Sequence, residues 1–160
     1  SNYQLMMTLI DCCRDLSIDE ILALPDVAER VSMFQEQHDL FRDQIARVAQ
    51  VHDNLVVLDL REEEVIYAGN RFVVYAMFPE CDISMHVMWG RAQQNTVYTV
   101  GKSIFDRSNP VEIGQLMLEY GGGGHHAAGT CQRPNDFAEA TKAELIERLV
   151  ALSGRRSVPV

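Results

Sequence analysis

Four consecutive glycines constrain this chain more than any other feature of its sequence: Gly121, Gly122, Gly123 and Gly124. In an ordered segment each glycine costs about 0.5–1 kcal/mol relative to alanine, because glycine loses the most backbone freedom on folding. A typical domain is stable by only about 5–15 kcal/mol. The run therefore indicates that the fold needs backbone without side chains at this point.

The glycine run follows a predicted helix and precedes a pair of histidines. Asn109 and Pro110 supply a cap and a first-turn proline, and they predict a helix over residues 110–120. Gly121 stands where a glycine ends such a helix. The other glycines can turn successive N–H groups toward an anion, and His125 can add a donor. The motif favours an oxyanion or phosphate cradle, with a flexible loop as the alternative.

A second candidate site is the pair Lys102 and Ser103, which follows a predicted strand over residues 96–100. Thr96 stands where a P-loop requires glycine, so that motif is excluded. A lysine and a hydroxyl at a strand end can still donate to a phosphate, although a solvated turn would look the same. Because one helix connects the two candidates, we expect Lys102 and His125 at the same sheet edge.

The pattern of apolar runs predicts an α/β fold, a mixed sheet of about five strands flanked by helices. Short β-branched or aromatic runs separated by turn residues predict strands over 54–60, 71–78, 83–89 and 96–100. The run 71–78 is apolar on both faces, so a buried helix is its alternative. A last helix is predicted over about 136–152.

The N-terminal third has helical periodicity and no glycine. Capping-box spacings predict helices starting at Ser17 and Asp26, and the second carries an apolar seam from Val27 to His52. This seam packs either on the chain's own core or against another domain or a second copy, so a homodimer stays open. The predicted organisation is a helical linker over 1–53, the sheet domain over 54–152 and a frayed tail over 153–160.

Composition limits the partners of the chain. A net charge of −9, from 23 acidic and 14 basic residues, argues against a broad electrostatic surface for long nucleic acid. An anionic ligand must therefore be held locally. The four cysteines have neither zinc-site nor disulfide spacing, which favours a reduced, cytoplasmic setting. No apolar run is long enough for a membrane span, so we expect no membrane partner.

Two motifs together resemble a known family. The four glycines and His125, followed by Ala127, Ala128 and Gly129 and preceded by the Lys102-Ser103 pair, are similar to the C-terminal substrate-binding domain of the DHH phosphoesterases. Residues 101–107 look most like the exopolyphosphatase-related branch. The resemblance covers roughly residues 55–152, and the glycine-histidine motif is its specific part.

The resemblance implies that these motifs hold the phosphate and sugar of a substrate. The implied substrate-binding residues are Lys102, Ser103, Gly121, Gly122, Gly123, Gly124 and His125. Lys102 replaces an arginine of many members, which keeps the charge but loses the bidentate geometry. Only His126 separates His125 from the Ala-Ala-Gly segment where many members have two residues, so which histidine contacts the ligand stays open. The substrate could be a short oligonucleotide, a cyclic dinucleotide, a nucleoside bisphosphate or polyphosphate.

In this family hydrolysis belongs to an N-terminal domain whose Asp-His-His signature helps to hold two divalent metals, Mn or Mg. The sequence contains no Asp-His-His and begins Ser-Asn rather than Met. We therefore expect a piece of a longer protein, without catalytic residues or a cofactor of its own and inactive in isolation. Its expected role is to present a phosphorylated substrate to the missing DHH domain. A stand-alone nucleic-acid-binding module and a dimerisation domain are the alternatives.

Overall fold

A computed structural model describes residues 2–154, which divide into two compact units. The first comprises residues 2–41 with 67–69, and the second comprises 42–66 with 70–154. The helices are α1 (Asn2–Asp15), α2 (Ile18–Leu22), α3 (Pro25–Val48), α4 (Val73–Met77), α5 (Ile113–Glu119) and α6 (Ala138–Leu152). The strands are β1 (Ala49–His52), β2 (Leu55–Asp59), β3 (Ile83–Trp89), β4 (Thr96–Lys102), β5 (Gly123–His125) and β6 (Ala128–Arg133).

The first unit is helical, as the sequence predicted. Ser17 caps α2 through a complete capping box, in which Ser17 Oγ accepts the Glu20 N–H and the Glu20 carboxylate accepts the Ser17 N–H. Helix α3 begins at Pro25, one residue before the predicted start. The apolar seam on α3 divides between the two units. Phe34 is exposed in the first unit, whereas Ile45 is buried in the core of the second.

The second unit is built on one mixed sheet with the strand order β1-β2-β3-β4-β6-β5. Only β2 and β3 are parallel, and every other neighbouring pair is antiparallel. The α/β fold class and the mixed sheet are confirmed, with six strands instead of about five. The antiparallel pairing of β4 with β6 places the end of β4 beside the start of β6, which positions the candidate site.

The core lies between one face of the sheet and helices α5 and α6. Alternate residues of β3 and β4 point into it because side chains along a strand point to opposite faces. The cluster includes Ile83, Met85, Val87, Tyr98, Val100, Ile113, Leu116, Met117, Leu145 and Leu149. Tyr98 is fully buried and donates its hydroxyl to the Ala138 carbonyl at 2.6 Å. This bond fixes the start of α6 against the sheet.

Removing that hydroxyl should destabilise the chain measurably. Tyr98→Phe keeps the packing but leaves the buried Ala138 carbonyl without this donor, so we expect a loss of about 1–2 kcal/mol in the free energy of unfolding. Urea denaturation followed by circular dichroism measures it. Tyr3→Phe, at an exposed position of α1, is the control and should have no effect. Equal stability of Tyr98→Phe and the unmodified chain would contradict the expectation.

The predicted strand over 71–78 is wrong, because residues 73–77 form helix α4. The cause is the parallel pairing of β2 with β3. Parallel neighbours need a crossover connection, usually a helix, and α4 lies in the segment between them. Val74 and Tyr75 of α4 are buried, which explains why the run reads as apolar throughout.

Other boundaries also differ from prediction. Strand β1 occupies residues 49–52, which the sequence assigned to the helical linker, and neither β5 nor β6 was predicted. Helix α5 begins at Ile113, because the Asn109 side chain accepts the Val111 N–H in a turn before the helix. Of the predicted tail, Ser153 is buried, and residues 155–160 lie outside the described residues. Across the described helices, none is both long and apolar enough to cross a membrane.

Candidate functional site

The glycine run begins as a helix terminator. Gly121 adopts φ +78°, in the left-handed region that favours glycine. Its N–H donates to the Leu118 carbonyl at 3.0 Å, and the Gly122 N–H donates to the Met117 carbonyl at 3.0 Å. This pair of bonds is a Schellman motif, so the predicted helix-ending role of Gly121 is confirmed. The first two N–H groups of the run are therefore used within the helix cap.

The middle of the run packs backbone against backbone. Strand β5 pairs antiparallel with β6, and a Cβ added at Gly122 would lie 2.0 Å from the Thr130 carbonyl oxygen. A Cβ at Gly124 would lie 2.2 Å from the Ala128 carbonyl oxygen. Gly123 differs, because a Cβ there would meet nothing within 4 Å. Two of the glycines are thus required by the close approach of the protein's own chain.

Helix α5 also needs a glycine where it crosses this hairpin. A Cβ on Gly114 would lie 2.6 Å from the carbonyl carbon of Gly124 and 2.7 Å from the amide nitrogen of His125. The helix therefore rests directly on the peptide that precedes His125. The glycines hold this histidine in place by packing, while their direct contact with an anion stays a prediction.

The end of β4 lies beside the turn that follows the glycine run. Gly101 pairs with Ala128, and the Lys102 N–H donates to the Ala127 carbonyl at 2.9 Å. Lys102, Ser103 and His125 line one cavity of about 280 Å³, hereafter the Lys102 pocket. Its lining residues are Arg71, Phe72, Lys102, Ser103, Ile104, Arg107, His125, His126, Ala127 and Ala128. Three of the sequence-predicted residues, Lys102, Ser103 and His125, therefore line one pocket. The four glycines are not among its lining residues.

Lys102 is held in one position by its surroundings. Its side chain is buried, and Nζ donates to the Asn109 carbonyl at 3.0 Å. Asn109 is itself anchored, because its amide nitrogen donates to the Asp82 carboxylate at 2.9 Å and to the Ser153 hydroxyl at 3.1 Å. An ammonium group has three N–H donors. Asn109 takes one of them, so the others can serve a ligand.

Ser103 is also fixed by local bonds. Its N–H donates to the Asp82 carbonyl at 2.8 Å, which extends the pairing of β3 with β4 by one residue beyond each strand. Its Oγ accepts N–H bonds from Phe105 at 3.1 Å and from Asp106 at 3.2 Å. A hydroxyl that accepts two such bonds keeps its own proton for donation. Ser103 can therefore supply a neutral donor to an anion.

His125 has a defined orientation at the rim of the pocket. The Ala127 N–H donates to His125 Nδ1 at 3.2 Å, so Nδ1 carries the lone pair and the proton of the neutral ring lies on Nε2. Nε2–H is then a donor for a ligand. His126 lines the same pocket, with its ring centroid 6.3 Å from that of His125. The backbone bond to Nδ1 favours His125 as the histidine prepared for a ligand.

Two residues that line the pocket, Arg71 and Phe72, belong to none of the sequence motifs. Arg71 and Phe72 precede α4, and the Arg71 guanidinium lies 4.8 Å from the Phe72 ring centroid. They were overlooked because the segment was predicted to be a strand. Arg107 reaches the pocket from the loop after Ser103. The lining residues thus include three basic side chains and no carboxylate, a locally positive site in a chain with a net charge of −9.

A second cavity of about 170 Å³, hereafter the His86 slot, adjoins the Lys102 pocket. The two share Arg71, Phe72, Lys102, Ala127 and Ala128, and the slot adds Tyr75, Ser84, His86, Thr99, Val100 and Gly101. Burial, and secondarily the nearby Arg71 charge, lowers the pKa of His86 to about 4. The imidazole is therefore neutral at pH 7. No sequence motif pointed to His86, because it lies within an ordinary strand pattern.

Within residues 2–154, no group of three or more histidine, cysteine, aspartate or glutamate side chains is placed to hold a metal ion. The family resemblance places its two divalent metals in the N-terminal domain, so they stay a prediction about that domain.

Comparison with known proteins gives a match among solved structures. No family model and no curated protein sequence matched the chain. The pGpG-specific phosphodiesterase PggH from Vibrio cholerae is 57% identical with a TM-score of 0.79, covering 96% of this chain and 52% of its own. The chain thus spans about half the length of that protein. An exopolyphosphatase-related protein from Bacteroides fragilis is 15% identical with a TM-score of 0.54, covering 94% of this chain and 44% of its own.

The two matches agree with the motifs in the sequence. The distant match shows the shared fold, while the 57% identity extends over nearly all of this chain. The chain therefore belongs to the DHH phosphoesterase superfamily and carries a domain of its C-terminal, DHH-associated type.

Proposed function

We propose that this domain binds a phosphorylated substrate in the Lys102 pocket and presents it to a two-metal DHH-type phosphoesterase domain. The observation that carries the proposal is the convergence of Lys102, Ser103 and His125 in a pocket lined by basic side chains and no carboxylate. An anionic ligand gains the most binding free energy where fixed hydrogen-bond donors surround it and water is partly excluded. Because the chain as a whole is acidic, we expect a phosphate to bind in this locally positive pocket.

Each side chain has a distinct part in holding the phosphate. Lys102 supplies a buried, positioned ammonium, and Ser103 and His125 supply neutral donors through Oγ–H and Nε2–H. Arg71 and Arg107 add positive charge around the pocket. The glycines act on the site through packing, because they let α5 and the β5–β6 hairpin approach closely enough to hold His125. The domain binds and orients the substrate, and we expect no hydrolysis by the isolated chain.

The proposed substrate class is a short 5′-phosphorylated oligonucleotide. A pGpG-specific phosphodiesterase is 57% identical to this chain, which makes pGpG the first ligand to test. The exopolyphosphatase-related neighbour shares the fold at only 15% identity, so polyphosphate is the weaker candidate. A pocket of about 280 Å³ accommodates a phosphate with part of its sugar. The rest of such a ligand must extend beyond it.

Substitution of Lys102 should weaken phosphate binding by about tenfold or more. Hydrogen bonds to a charged group contribute about 1.5–3 kcal/mol, which corresponds to roughly 10- to 150-fold in affinity. Lys102→Met keeps the apolar stem and removes the ammonium. Amide NMR titration of the 160-residue chain with pGpG should shift Lys102, Ser103, Arg107 and His125, and Lys102→Met should raise the Kd.

The control removes the same charge elsewhere. Arg91→Met changes an exposed residue that lines neither the Lys102 pocket nor the His86 slot, and its Kd for pGpG should equal that of the unmodified chain. Unfolding curves establish that both variants are folded. The proposal fails if about millimolar pGpG shifts no amide around the pocket, or if Lys102→Met and Arg91→Met bind equally well.

A further inference from the structure

The His86 slot extends the Lys102 pocket along the sheet. We propose that this slot receives the nucleobase of the nucleotide whose phosphate lies in the Lys102 pocket, and that His86 reads the edge of that base. The inference rests on the proposed function. It adds a specificity-determining residue, His86, that neither the sequence motifs nor the names of the structural neighbours point to.

The slot lies on the face of the sheet opposite the main core. Residues along β3 and β4 alternate, so His86 and Thr99 point away from the side that packs on α5 and α6. They are directly opposite each other in the β3–β4 pairing. Tyr75 of α4 covers this face, and its hydroxyl bonds to the Gly101 carbonyl and the Ser84 hydroxyl, both at 2.8 Å. The slot is therefore framed by ordered strands and a fixed helix.

The two cavities adjoin, so one ligand can extend from one into the other. Arg71, Phe72 and Lys102 line the slot and the pocket alike. Phe72 offers an apolar ring at the junction, and aromatic rings are the usual stacking partners of nucleobases. A phosphate fixed at Lys102 and Ser103 would direct the attached sugar toward this junction. The base then has the slot as its nearest enclosed space.

The chemistry inside the slot suits a base better than a second phosphate. A neutral imidazole offers one donor and one acceptor, the combination that the edge of a base presents in return. His86 Nδ1 lies 3.5 Å from Thr99 Oγ1 across the β3–β4 pairing, and we expect Nε2 to be the ring nitrogen that meets a ligand. Tyr75 and Ser84 are already bonded to each other. Beyond the shared basic residues, the side chains that line the slot are uncharged.

The test compares a ligand that has bases with one that has none. The side-chain Cε1–H resonance of His86 is followed by NMR in the 160-residue chain during titration with pGpG and, separately, with ribose 5-phosphate. We expect pGpG to shift the His86 resonance and ribose 5-phosphate to leave it unchanged. His86→Phe keeps a ring but removes both nitrogens, and it should weaken pGpG binding at least about fivefold without changing the Kd for ribose 5-phosphate.

Controls separate this inference from the proposed function. His52→Phe replaces a histidine of β1 outside both cavities and should bind both ligands as the unmodified chain does. Lys102→Met should weaken both ligands. If pGpG binds without shifting His86, or if His86→Phe binds it normally, the base-reading inference is wrong while the phosphate site stands. If His86→Phe loses both ligands equally, His86 supports the pocket and does not read the base. If the unmodified chain binds neither ligand, the proposed function fails with the inference.

Discussion

Gly122→Ala should destabilise the chain by about 3 kcal/mol, whereas Gly123→Ala should change its stability by no more than about 0.5 kcal/mol. The two positions are adjacent but have opposite surroundings. A Cβ at Gly122 would lie 2.0 Å from the Thr130 carbonyl oxygen, a backbone atom that can move only with strand β6. A Cβ at Gly123 would enter open space. Urea denaturation at neutral pH measures both free energies of unfolding.

The same pair of variants separates packing from ligand contact. If Gly123 lets a phosphate approach the backbone, Gly123→Ala should weaken pGpG binding while the chain stays fully stable. If the run serves packing alone, Gly123→Ala should bind pGpG normally. Equal destabilisation by Gly122→Ala and Gly123→Ala would contradict the structural account, because a Cβ at Gly123 would then have to meet atoms that the structure does not place there.

The sequence explained the beginning of the glycine run but not its middle. Gly121 was identifiable because a helix pattern precedes it and a C-terminal glycine is a local feature. Gly122 and Gly124 are required by carbonyl groups of Thr130 and Ala128, which the chain reaches only after turning back. Strand β5 has three residues and no alternation of apolar and polar side chains, so no pattern indicated the hairpin.

Helix α4 shows the same limit on local reasoning. A short run that is apolar on both faces fits a buried strand and a buried helix equally well, and its periodicity cannot decide between them. The decision comes from the parallel pairing of β2 with β3, in which the paired residues lie 28 positions apart in the chain. Strands β3 and β4, by contrast, alternate clearly and were predicted close to their observed bounds.

The candidate site was predictable where the residues belong to a motif. Lys102, Ser103 and His125 were named from the sequence and line one pocket. Arg71 and Phe72 carry no motif and reach the pocket only through the crossover that contains α4. Residues of this kind become candidates only once the topology is known, and they are the ones that connect the pocket to the His86 slot.

Because of the titration of His86, the free energy of unfolding should decrease as the pH falls from about 6.5 to about 4. The pKa of the folded-state imidazole is lowered from 6.5 to about 4, chiefly by burial. Between these values the unfolded chain binds a proton that the folded chain does not, so protonation favours unfolding. The loss should reach up to about 3 kcal/mol at the acidic end and should be absent above pH 7.

Free energies of unfolding measured by urea denaturation between about pH 7 and about pH 4 test this expectation. His86→Phe and His86→Gln both remove the titrating ring, so their stability should fall less steeply with decreasing pH than that of the unmodified chain. Agreement between an aromatic and a polar replacement would exclude packing as the cause. Parallel pH curves for the unmodified chain and both variants would contradict a neutral, half-buried His86, because a histidine exposed to water would bind its proton equally in the folded and unfolded states.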